Sequence, residues 1–598
     1  MEYPFWKRNH YVSTSDSPFE CCHHITDDIF NRHVIIEFRP HPGVTSKFTD
    51  WWVFYQADIF KEDFSSVIKK VKFSYLFLSN TKKPEEHSSP CTLKTSKNTR
   101  TSGNESGIDN IRSNDDQLKE LNSHLDGGIK WRKIDEKFFI SNKEIGKGSN
   151  GTIVYEGSHD GRRAAVKCLV KGHRDVARVE YQNLISSDQH ENIVRYYGMK
   201  EDPNFVYLAL EHCICSLDDL IQAKSDSSDN SVFPDDSPTM KAYKLKLGSV
   251  RGEMQDVNLW SADGYPSCQL LKLMSDVVSG LSHLHKLRMI HRDIKPQNVL
   301  ITKNPSFGAK LSDMGISKYL SKDKSSLGNH ATVCGTIGWR APEQLSLDGR
   351  QTQKVDMFSL GCVLFFCVTR GKHPFGKTTE REYKIDHNIK DLSCVEFIPE
   401  AHDLILHLLD QDPKLRLKAS EVLHHPFFWS SYMRLKFLHD VSDKVEVEAK
   451  KARSVPLKAS GAVTHKVESE AEAGKDNLDL PKKLEDIAHS VFGEDWTNLM
   501  DKDVMKDLNL NRHTSYEGSS IRHLLRAVRN KFNHLMDAPE KVKAILGSNP
   551  NGLDAYFTKR FPRLLIESYK VVSQSPEKKE LLAGYTITAY LKCLMYCS

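Results

Sequence analysis

One short segment near the middle of the chain carries the polar groups that phosphoryl transfer needs. Residues 291–298 read HRDIKPQN, which matches a known catalytic loop over its full length. In that loop the aspartate accepts the proton of the attacking hydroxyl, the lysine neutralises phosphate charge, and the asparagine holds a magnesium ion. We therefore expect Asp293 and Lys295 to be catalytic and Asn298 to bind metal.

A second carboxylate follows later in the chain, at a spacing that fits the kinase pattern. Asp313 opens the run Asp-Met-Gly at 313–315 and offers the other magnesium carboxylate, with methionine where phenylalanine is usual. Met314 can still pack in an apolar position. The methionine could therefore change the balance between conformations of this segment, but it should not affect metal binding. The sequence thus predicts ATP and Mg²⁺ as cofactors.

A glycine-rich run must bring backbone close to the phosphates. Gly146, Gly148 and Gly151 lie between an apolar-alternating run and a strand-like segment that starts at Ile153. Glycine suits such a site because a side chain would block both the close approach and the backbone conformations. A strand-loop-strand arrangement favours a protein kinase over a dinucleotide-binding fold, although the motif alone is weak.

The remaining nucleotide contacts fall in order along the chain. Lys167, in the strand-like run Ala-Val-Lys, is predicted to contact the α- and β-phosphates, and Glu180, on the helix-like run 176–185, is its predicted ion-pair partner. The other residues predicted to bind the nucleotide are Ile153, Glu211 and Cys213. Together these motifs predict a two-lobed protein kinase.

The end of the kinase pattern also matches. The run Ala-Pro-Glu at 341–343 closes an activation segment, and residues 356–361 with Arg416 match the buried polar groups of a kinase C-lobe. Charge added to a hydroxyl of the activation segment could order it. Taken singly, each of these hydroxyls is predicted to be a solvated loop group. They are Ser317, Ser321, Ser325, Ser326, Thr332 and Thr336.

Beyond residue 429, where a kinase would stop, the chain continues without a Gly/Pro linker, so we expect the next domain to pack against the C-lobe. At helical spacing, apolar residues of 521–534 fall on one stripe. Polar residues project from the other side, where Asn530 and His534 are one turn apart and could serve one phosphate. Residues 518–534 hold three arginines and one lysine but no acid.

Three runs in this region resemble a known module: FLHDVSD at 437–443, RHLLRAVRNK at 522–531 and YFTKRFP at 556–562. They are similar to the kinase-extension nuclease of the inositol-requiring enzyme family, a module that ribonuclease L shares. With the kinase motifs, the resemblance covers about residues 131–573. It implies an α+β two-lobed protein kinase fold followed by an all-α kinase-extension nuclease domain.

The resemblance also implies an activity and its residues. RNA cleavage without metal requires a base for the 2′-hydroxyl, an acid for the departing oxygen, and donors around the phosphate. Tyr516 and His534 match the family's acid/base pair, and Arg529 and Asn530 match its phosphate-holding residues. The family reading is a trans-autophosphorylating serine/threonine kinase joined to a nuclease that cleaves stem-loop RNA in the unfolded protein response. Homodimerisation, favoured by ATP or ADP, would assemble the RNA site.

The predicted organisation has five parts: an N-terminal segment of unknown function (1–80), a disordered linker (81–130), the kinase (131–429), the nuclease (430–573) and a tail (574–598). Within this division, Lys- and Ser-rich residues 224–267 predict a surface insertion, and polar residues 446–477 predict a loop. Aromatic and β-branched residues at 30–80 predict a small folded element.

Whole-chain properties set further limits. The 598 residues carry a net charge of +5, too slight to indicate nucleic-acid binding by itself, and we expect no DNA partner. The 13 cysteines are scattered and read as reduced thiols. No apolar run reaches the roughly 18 residues that a membrane span requires, and no lumenal sensor is expected ahead of the kinase. We expect a cytoplasmic protein that partners could hold at the cytosolic face of the endoplasmic reticulum.

Two rival interpretations remain open at this stage. One is a nucleotide-gated pseudokinase scaffold whose extension binds or cuts RNA; the other is a plain serine/threonine kinase with a structural tail. The segment Leu-Met-Asp at 535–537 departs from the usual family pattern after the histidine and could alter RNA-loop preference.

Overall fold

The computed structural model describes residues 6–10, 21–27, 32–40, 51–57, 130–148, 152–170, 174–187, 189–225, 238–320, 326, 335–346, 349–454, 480–510, 516–575, 581, 582 and 585. The chain divides into two compact units, 1–109 and 110–598. In these ranges no helix has both the length and the apolar character that crossing a membrane takes.

The first unit contains one antiparallel sheet of four strands in sequential order. Its strands are β1 (Trp6–His10), β2 (Cys21–Asp27), β3 (Arg32–Pro40) and β4 (Trp51–Ala57). The small folded element predicted from aromatic and β-branched residues covers β3 and β4. The strands β1 and β2 lie ahead of it and were not anticipated.

The second unit begins with a six-stranded antiparallel sheet in the order β5-β6-β7-β8-β10-β9. The strands are β5 (Trp131–Asp135), β6 (Phe138–Lys147), β7 (Ile153–His159), β8 (Arg162–Val170), β9 (Tyr196–Glu201) and β10 (Phe205–Glu211). Side chains alternate across a strand. Val166 on β8 therefore packs into one small core, whereas Leu169 packs on the opposite face beside Ala177 of helix α1 (Arg174–Ser187).

The larger lobe is mainly helical. Its helices are α2 (Leu217–Lys224), α3 (Pro238–Glu253), α4 (Cys268–Lys286), α5 (Pro342–Leu345), α6 (Lys354–Val368), α7 (Arg381–Asp386), α8 (Pro399–Leu408) and α9 (Ala419–Val422). Short strands accompany them: β11 (Cys215–Ser216), β12 (Met289–Ile290), β13 (Val299–Thr302), β14 (Gly308–Leu311) and β15 (Lys318–Tyr319). Helix α6 is buried from Val355 to Val368, because it is apolar on every side and runs through the lobe centre.

The predicted surface insertion at 224–267 is wrong for part of its length. Residues 238–253 form α3, and Val250, Met254, Val257 and Leu259 are buried in the main core of the lobe. The polar composition favoured a surface loop because the lysines of α3 lie on its outer face. Only a few apolar residues at its C-terminal end pack into the core. Residues 226–237 of the proposed insertion lie outside the described ranges.

The described residues after Ser430 form helices, single 3-10 turns and connecting segments. The helices are α10 (Ser431–Ser454), α11 (Leu480–Asp486), α12 (Ala488–Phe492), α13 (Lys502–Asn509), α14 (Ile521–His534), α15 (Glu540–Leu546), α16 (Asn551–Arg560) and α17 (Leu564–Ser573). The two-lobed α+β fold with an all-α extension is thereby confirmed. The predicted loop at 446–477 is wrong up to Ser454, because α10 continues through that stretch.

The apolar core of the helical extension continues past residue 573, the predicted end of this domain. Leu581 and Tyr585 are buried in the same apolar cluster as the helices. Tyr585 stacks on Trp429, with ring centroids 4.9 Å apart, and its hydroxyl donates to Asp440 Oδ2 at 2.9 Å. Part of the predicted tail therefore belongs to the packed domain.

Partly buried ion pairs join the kinase C-lobe to the helical extension. Arg434 on α10 donates from Nη2 to Glu400 on α8 at 3.0 Å and from Nε to Asp554 on α16 at 3.2 Å. Lys570 on α17 lies 3.0 Å from Asp403 on α8. These contacts agree with the expectation of direct packing without a linker.

We expect Arg434→Met to destabilise this junction strongly. The substitution leaves the Glu400 side chain, only 3% exposed, without its cation, and an uncompensated buried charge costs about 3–5 kcal/mol. Thermal unfolding should show a clear loss. Arg563→Met is the matched control, because Arg563 is 58% exposed and its pair with Glu567 at 3.5 Å contributes about 1 kcal/mol or less. Equal melting of the two variants would contradict the role given to Arg434.

Candidate kinase and nuclease sites

The glycine-rich run forms the predicted hairpin. Lys147 pairs with Ile153 across β6 and β7, and the Gly148 N–H donates to the Thr152 carbonyl at 2.8 Å. A Cβ on Gly148 would meet Thr152 Cβ at 3.2 Å, which is tighter than ordinary packing. Gly146 lies on β6, and Gly151 lies outside the described residues.

Lys167 is held between two carboxylates. Its Nζ donates to both oxygens of Glu180 at 2.8 Å and to Asp313 Oδ1 at 2.8 Å. Lys167 reaches them because it shares a β8 face with Leu169, the face that packs on α1. Burial disfavours its charged form, but Glu180 and Asp313 outweigh this and raise the pKa of Lys167. The pairing fixes α1 against the sheet and keeps a full cation at the cleft.

Asp313 is the acidic member of this cluster. Burial alone would raise its pKa, but the charge of Lys167 and its hydrogen bond outweigh burial and lower the pKa of Asp313. The neighbouring Met314 is fully buried, and its carbonyl accepts from the Asn183 amide at 2.9 Å. Methionine therefore fills an apolar position there, as predicted.

The Asp293 carboxylate is surrounded by donors. Lys295 Nζ donates to its Oδ2 at 2.8 Å, and Thr336 donates to its Oδ1 from the backbone at 2.9 Å and from the hydroxyl at 2.7 Å. Lys295 also donates to the Thr336 hydroxyl at 2.6 Å. A substrate hydroxyl would have to replace one of these donors. These donors orient the carboxylate, and orientation towards the substrate hydroxyl is what a catalytic base requires.

Thr336 is a site residue that the sequence did not single out. The sequence places it among the activation-segment hydroxyls, whereas in the structure it contacts Asp293, the proposed catalytic base. Ser317 also differs from the prediction of a solvated hydroxyl: it is 1% exposed, and its Oγ donates to the His291 carbonyl at 3.1 Å. Ser321, Ser325 and Thr332 lie outside the described residues, and Ser326 is half-buried.

The residues present fit a magnesium site. The Asn298 amide nitrogen donates to the Asp293 carbonyl at 2.8 Å and to its Oδ2 at 2.9 Å, which turns the amide oxygen the other way. The Ser312 N–H donates to the Asn298 carbonyl at 2.9 Å. This bond holds the backbone just before Asp313 next to Asn298. Carboxylate and amide oxygens are hard ligands of the type Mg²⁺ takes, and the ion would neutralise charge on the nucleotide phosphates.

A buried aspartate holds the catalytic loop from behind. Asp356 on α6 accepts from the backbone N–H of His291 at 2.9 Å and of Arg292 at 2.8 Å. The activation segment is anchored separately, because Arg416 donates to both oxygens of Glu343 at 2.7 and 2.9 Å. The expectation that Asp356 and Arg416 are buried polar groups of the C-lobe agrees with these contacts.

The other residues predicted to bind nucleotide lie around the cleft between the lobes. Ile153 is half-buried on β7, and Glu211 ends β10. The Glu211 carboxylate lies 3.1 Å from Lys310 Nζ, and its backbone N–H donates to the Arg195 carbonyl at 2.9 Å. Cys213 lies between β10 and β11, and burial raises the pKa of its thiol to about 12.

Helix α14 carries most of the candidate nuclease site. Its N-terminus is capped by Ser520, which accepts from the His523 N–H. Glu485 on α11 accepts from the Ser520 hydroxyl at 2.7 Å and from the Ile521 N–H at 3.0 Å. The predicted apolar stripe is buried, with Phe532 only partly so; the buried members are Ile521, Leu524, Leu525 and Val528.

The positive charge of α14 is largely neutralised within the fold. Arg522 and Arg526 both donate to Glu446 on α10, each from Nε at 3.0 Å. Lys531 is 3% exposed and donates to Asp507 on α13. The excess of cations in 518–534 therefore overstates the charge available to RNA, because the acids that balance it come from distant parts of the chain.

Glu446 should give the helical extension an acid-sensitive component of stability. Burial opposes its ionisation, but hydrogen bonds from Arg522 and Arg526 lower its pKa from 4.5 to about 2. A carboxyl group whose pKa is lower in the folded than in the unfolded protein stabilises the folded state at pH values above its unfolded pKa. This stabilisation is lost as the pH falls through the folded-state pKa. Glu446→Gln should cost about 2 kcal/mol at neutral pH, since hydrogen bonds to charged groups contribute about that much.

The difference between wild type and Glu446→Gln should shrink as the pH is lowered below about 4.5 towards 2, which thermal unfolding at a series of pH values would measure. Glu494→Gln is the control, because Glu494 is 93% exposed. A difference that does not depend on pH would contradict the assignment.

Three candidate nuclease residues share the last two turns of α14. Arg529 Nη1 donates to Asp443 on α10 at 2.6 Å, and Asn530 is half-buried. The His534 side chain is 64% exposed, with Nδ1 3.3 Å from Asp537 Oδ2. Asn530 and His534 are one helical turn apart, so an amide and an exposed imidazole can offer one phosphate hydrogen bonds and proton transfer.

Tyr516 lies near the other end of the helix. It is 9% exposed, and its ring centroid is 5.7 Å from Trp496 and 6.2 Å from His523. His523 belongs to the first turn of α14, about 16 Å along the axis from His534 at 1.5 Å per residue. The structure thus places Arg529, Asn530 and His534 in the last two turns of α14 and packs Tyr516 against the first turn.

Comparison with known proteins assigns both parts of the chain. Residues 139–428 match a protein kinase domain model, and residues 434–586 match a ribonuclease 2-5A model. Serine/threonine-protein kinase/endoribonuclease IRE1a of Arabidopsis thaliana is 48% identical over 470 residues, 78% of this chain and 53% of the relative. IRE1 of Oryza sativa subsp. japonica is 46% identical over 464 residues, 78% of this chain and 46% of the relative.

The chain spans about half the length of these curated relatives. A shorter relative, the inactive serine/threonine-protein kinase/endoribonuclease IRE1-like protein of Arabidopsis thaliana, is 37% identical over 480 residues, 78% of this chain and 81% of the relative. Kinase motifs, a ribonuclease 2-5A extension and similarity across both domains lead to one assignment. The chain belongs to the inositol-requiring enzyme (IRE1) family.

Proposed function

We propose that this chain is a bifunctional enzyme, a serine/threonine kinase that autophosphorylates in trans and an endoribonuclease that cleaves stem-loop RNA without a metal ion. Residues 131–429 would transfer phosphate from ATP with Mg²⁺, and residues from 430 onward would cut RNA. The observation that carries the proposal is the assembled phosphotransfer set, in which Lys167 contacts both Glu180 and Asp313 while Asp293 is oriented by Lys295 and Thr336.

For the kinase reaction, this chain supplies a base and a cation. Asp293 accepts the proton of the substrate hydroxyl as the phosphoryl group arrives, and Lys295 next to it balances the charge. Lys167 holds the α- and β-phosphates, and Asn298 and Asp313 hold the metal. The activation-segment hydroxyls that accept phosphate are to be sought among those other than Ser317 and Thr336, which are engaged inside the fold.

For the nuclease reaction, Tyr516 and His534 are the proposed acid/base pair, and Arg529 and Asn530 hold the scissile phosphate. One of the pair removes the 2′-hydroxyl proton, the 2′-oxygen attacks the phosphorus, and the other protonates the departing 5′-oxygen. The product would carry a 2′,3′-cyclic phosphate. Because the structure packs Tyr516 at the far turn of α14, a homodimer favoured by nucleotide is the proposed form in which the site is completed.

The proposed setting is the unfolded protein response, with RNA splicing or decay at the cytosolic face of the endoplasmic reticulum. Support comes from the kinase/endoribonuclease names of the relatives and from family membership. The chief rival is an inactive scaffold, since the relative matched over most of its own length is named inactive. The intact cluster around Lys167 and Asp293 favours activity.

The test uses the purified chain in two incubations. Labelled ATP with magnesium should label the protein, and a labelled stem-loop RNA in EDTA should be cut to products with a cyclic phosphate end. RNA that is bound but uncut would favour the scaffold. Phosphorylation with intact RNA would favour a plain kinase with a structural extension, and failure of both reactions would overturn the proposal.

A further inference from the structure

A cavity of about 190 Å³ opens on the kinase C-lobe, away from the nucleotide cleft. It lies where the end of α4, the start of α6 and the start of α9 meet. Three lysines, Lys286, Lys354 and Lys418, line it, together with His285 and the neutral side chain of Gln353. None of its lining residues belongs to the kinase or nuclease sites proposed above.

The lysines of this cavity are poorly matched by acids. Lys286 makes no ion pair with any residue that the structure describes, and the acid nearest to Lys418 Nζ is Glu421 at 3.9 Å. Lys354 donates from Nζ to the Arg416 carbonyl, a neutral acceptor. Burial lowers the pKa of Lys354, and the charges of Lys418 and Arg416 lower it further against the opposing effect of Glu421.

The acid behind the cavity is already engaged. Asp356 lies 2.9 Å from His285 Nε2 and accepts from two backbone N–H groups of the catalytic loop at 2.9 and 2.8 Å. The Asp356 carboxylate is therefore paired with groups inside the lobe and does not neutralise the lysines, so the cavity has a net positive charge. An anion could take up that surplus.

The backbone adds to the same polarity. Gln353 and Lys354 stand at the N-terminus of α6, a helix of 15 residues, and Gln353 gives no side-chain cap to it. A helix N-terminus carries partial positive charge that favours anions. Here the N–H of Lys354 donates to the Thr352 hydroxyl at 3.1 Å and the N–H of Val355 donates to the Thr352 carbonyl at 3.1 Å. The helix end therefore contributes polarity and no free donor from these two N–H groups, and the lysines that line the cavity supply its charge.

The size of the cavity limits the ligand. Sites for drug-sized molecules measure about 300–1,000 Å³, so 190 Å³ suits a compact anion with few attached atoms. Lysine ammonium groups bind phosphate through charge-assisted hydrogen bonds. We propose that this cavity binds a small phosphate-bearing molecule, such as inorganic phosphate, pyrophosphate or a small phosphate monoester.

The test is a titration of the whole chain with inorganic phosphate and with pyrophosphate, followed by calorimetry and by phosphorus NMR. A phosphate-free ATP-competitive inhibitor fills the nucleotide cleft throughout. We expect saturable binding by wild type and at least about a tenfold loss for the double variant Lys286→Gln/Lys418→Gln, because the variant loses two cations that would donate charge-assisted hydrogen bonds to the phosphate.

Both variant positions are exposed, so the fold should survive, and unchanged thermal unfolding without phosphate checks this. Lys414→Gln, an exposed lysine that does not line the cavity, is the matched control and should bind like wild type. Equal phosphate affinity in the double variant and wild type would overturn the site, as would no binding at millimolar phosphate.

Two further arms separate the sources of the phosphate group. One uses phosphatidylcholine vesicles with a phosphatidylinositol monophosphate, and the other uses a phosphorylated peptide from residues 317–336. Lysine-dependent binding of free phosphate, with or without vesicle binding, supports the proposal, and vesicle binding adds a lipid headgroup as a source. Lysine-dependent binding of the peptide alone would overturn it in favour of a protein partner.

Discussion

Replacing His534 with alanine is expected to reduce RNA cleavage by at least about a hundredfold, since general acid or base catalysis contributes about 10²–10⁴-fold. His534 is 64% exposed at the end of α14, so its loss should leave folding and dimerisation unchanged. The measurement is the single-turnover rate on a labelled stem-loop RNA, with the oligomeric state followed by analytical ultracentrifugation.

His489→Ala is the matched control for this experiment. His489 belongs to the same domain, and its side chain is 81% exposed. It should cleave like wild type. If His534→Ala cleaves as fast as the control, the assignment of the nuclease site to the end of α14 is wrong.

Asp293→Asn should reduce autophosphorylation by about 10²-fold or more, because the amide cannot accept the hydroxyl proton. Nucleotide binding should persist, since Lys167, Glu180 and Asp313 form their own cluster. Phosphate incorporation and nucleotide affinity are measured on the same preparation. Asp386→Asn, at a position 65% exposed, is the control and should leave both values unchanged.

The same Asp293→Asn variant separates phosphotransfer from coupling. We expect nucleotide to stimulate its RNA cleavage still, because Arg434 and Lys570 join the kinase C-lobe directly to the nuclease helices. A ligand shifts such an equilibrium only by its differential affinity, and a tenfold preference corresponds to about 1.4 kcal/mol. Cleavage indifferent to both nucleotide and protein concentration would rule out the coupling.

The sequence by itself determined the features that arise from local patterns. The catalytic loop at 291–298 is a contiguous motif, so its residue types and spacing are enough to identify it, and the glycine hairpin gains its meaning from the motifs that follow it in order. The buried stripe of α14 follows from helical periodicity within 14 residues. The fold class, confirmed by the structure and the two domain matches, rests on these local signals.

Contacts between distant segments were decided only by the tertiary structure. Glu446 lies 76 residues before Arg522, and no local pattern indicates that it neutralises the arginines of α14. Thr336 lies 43 residues after Asp293, yet its hydroxyl contacts that carboxylate. Periodicity and motif spacing describe neighbours along the chain, whereas the charge and the orientation of a site depend on which distant side chains packing brings to it.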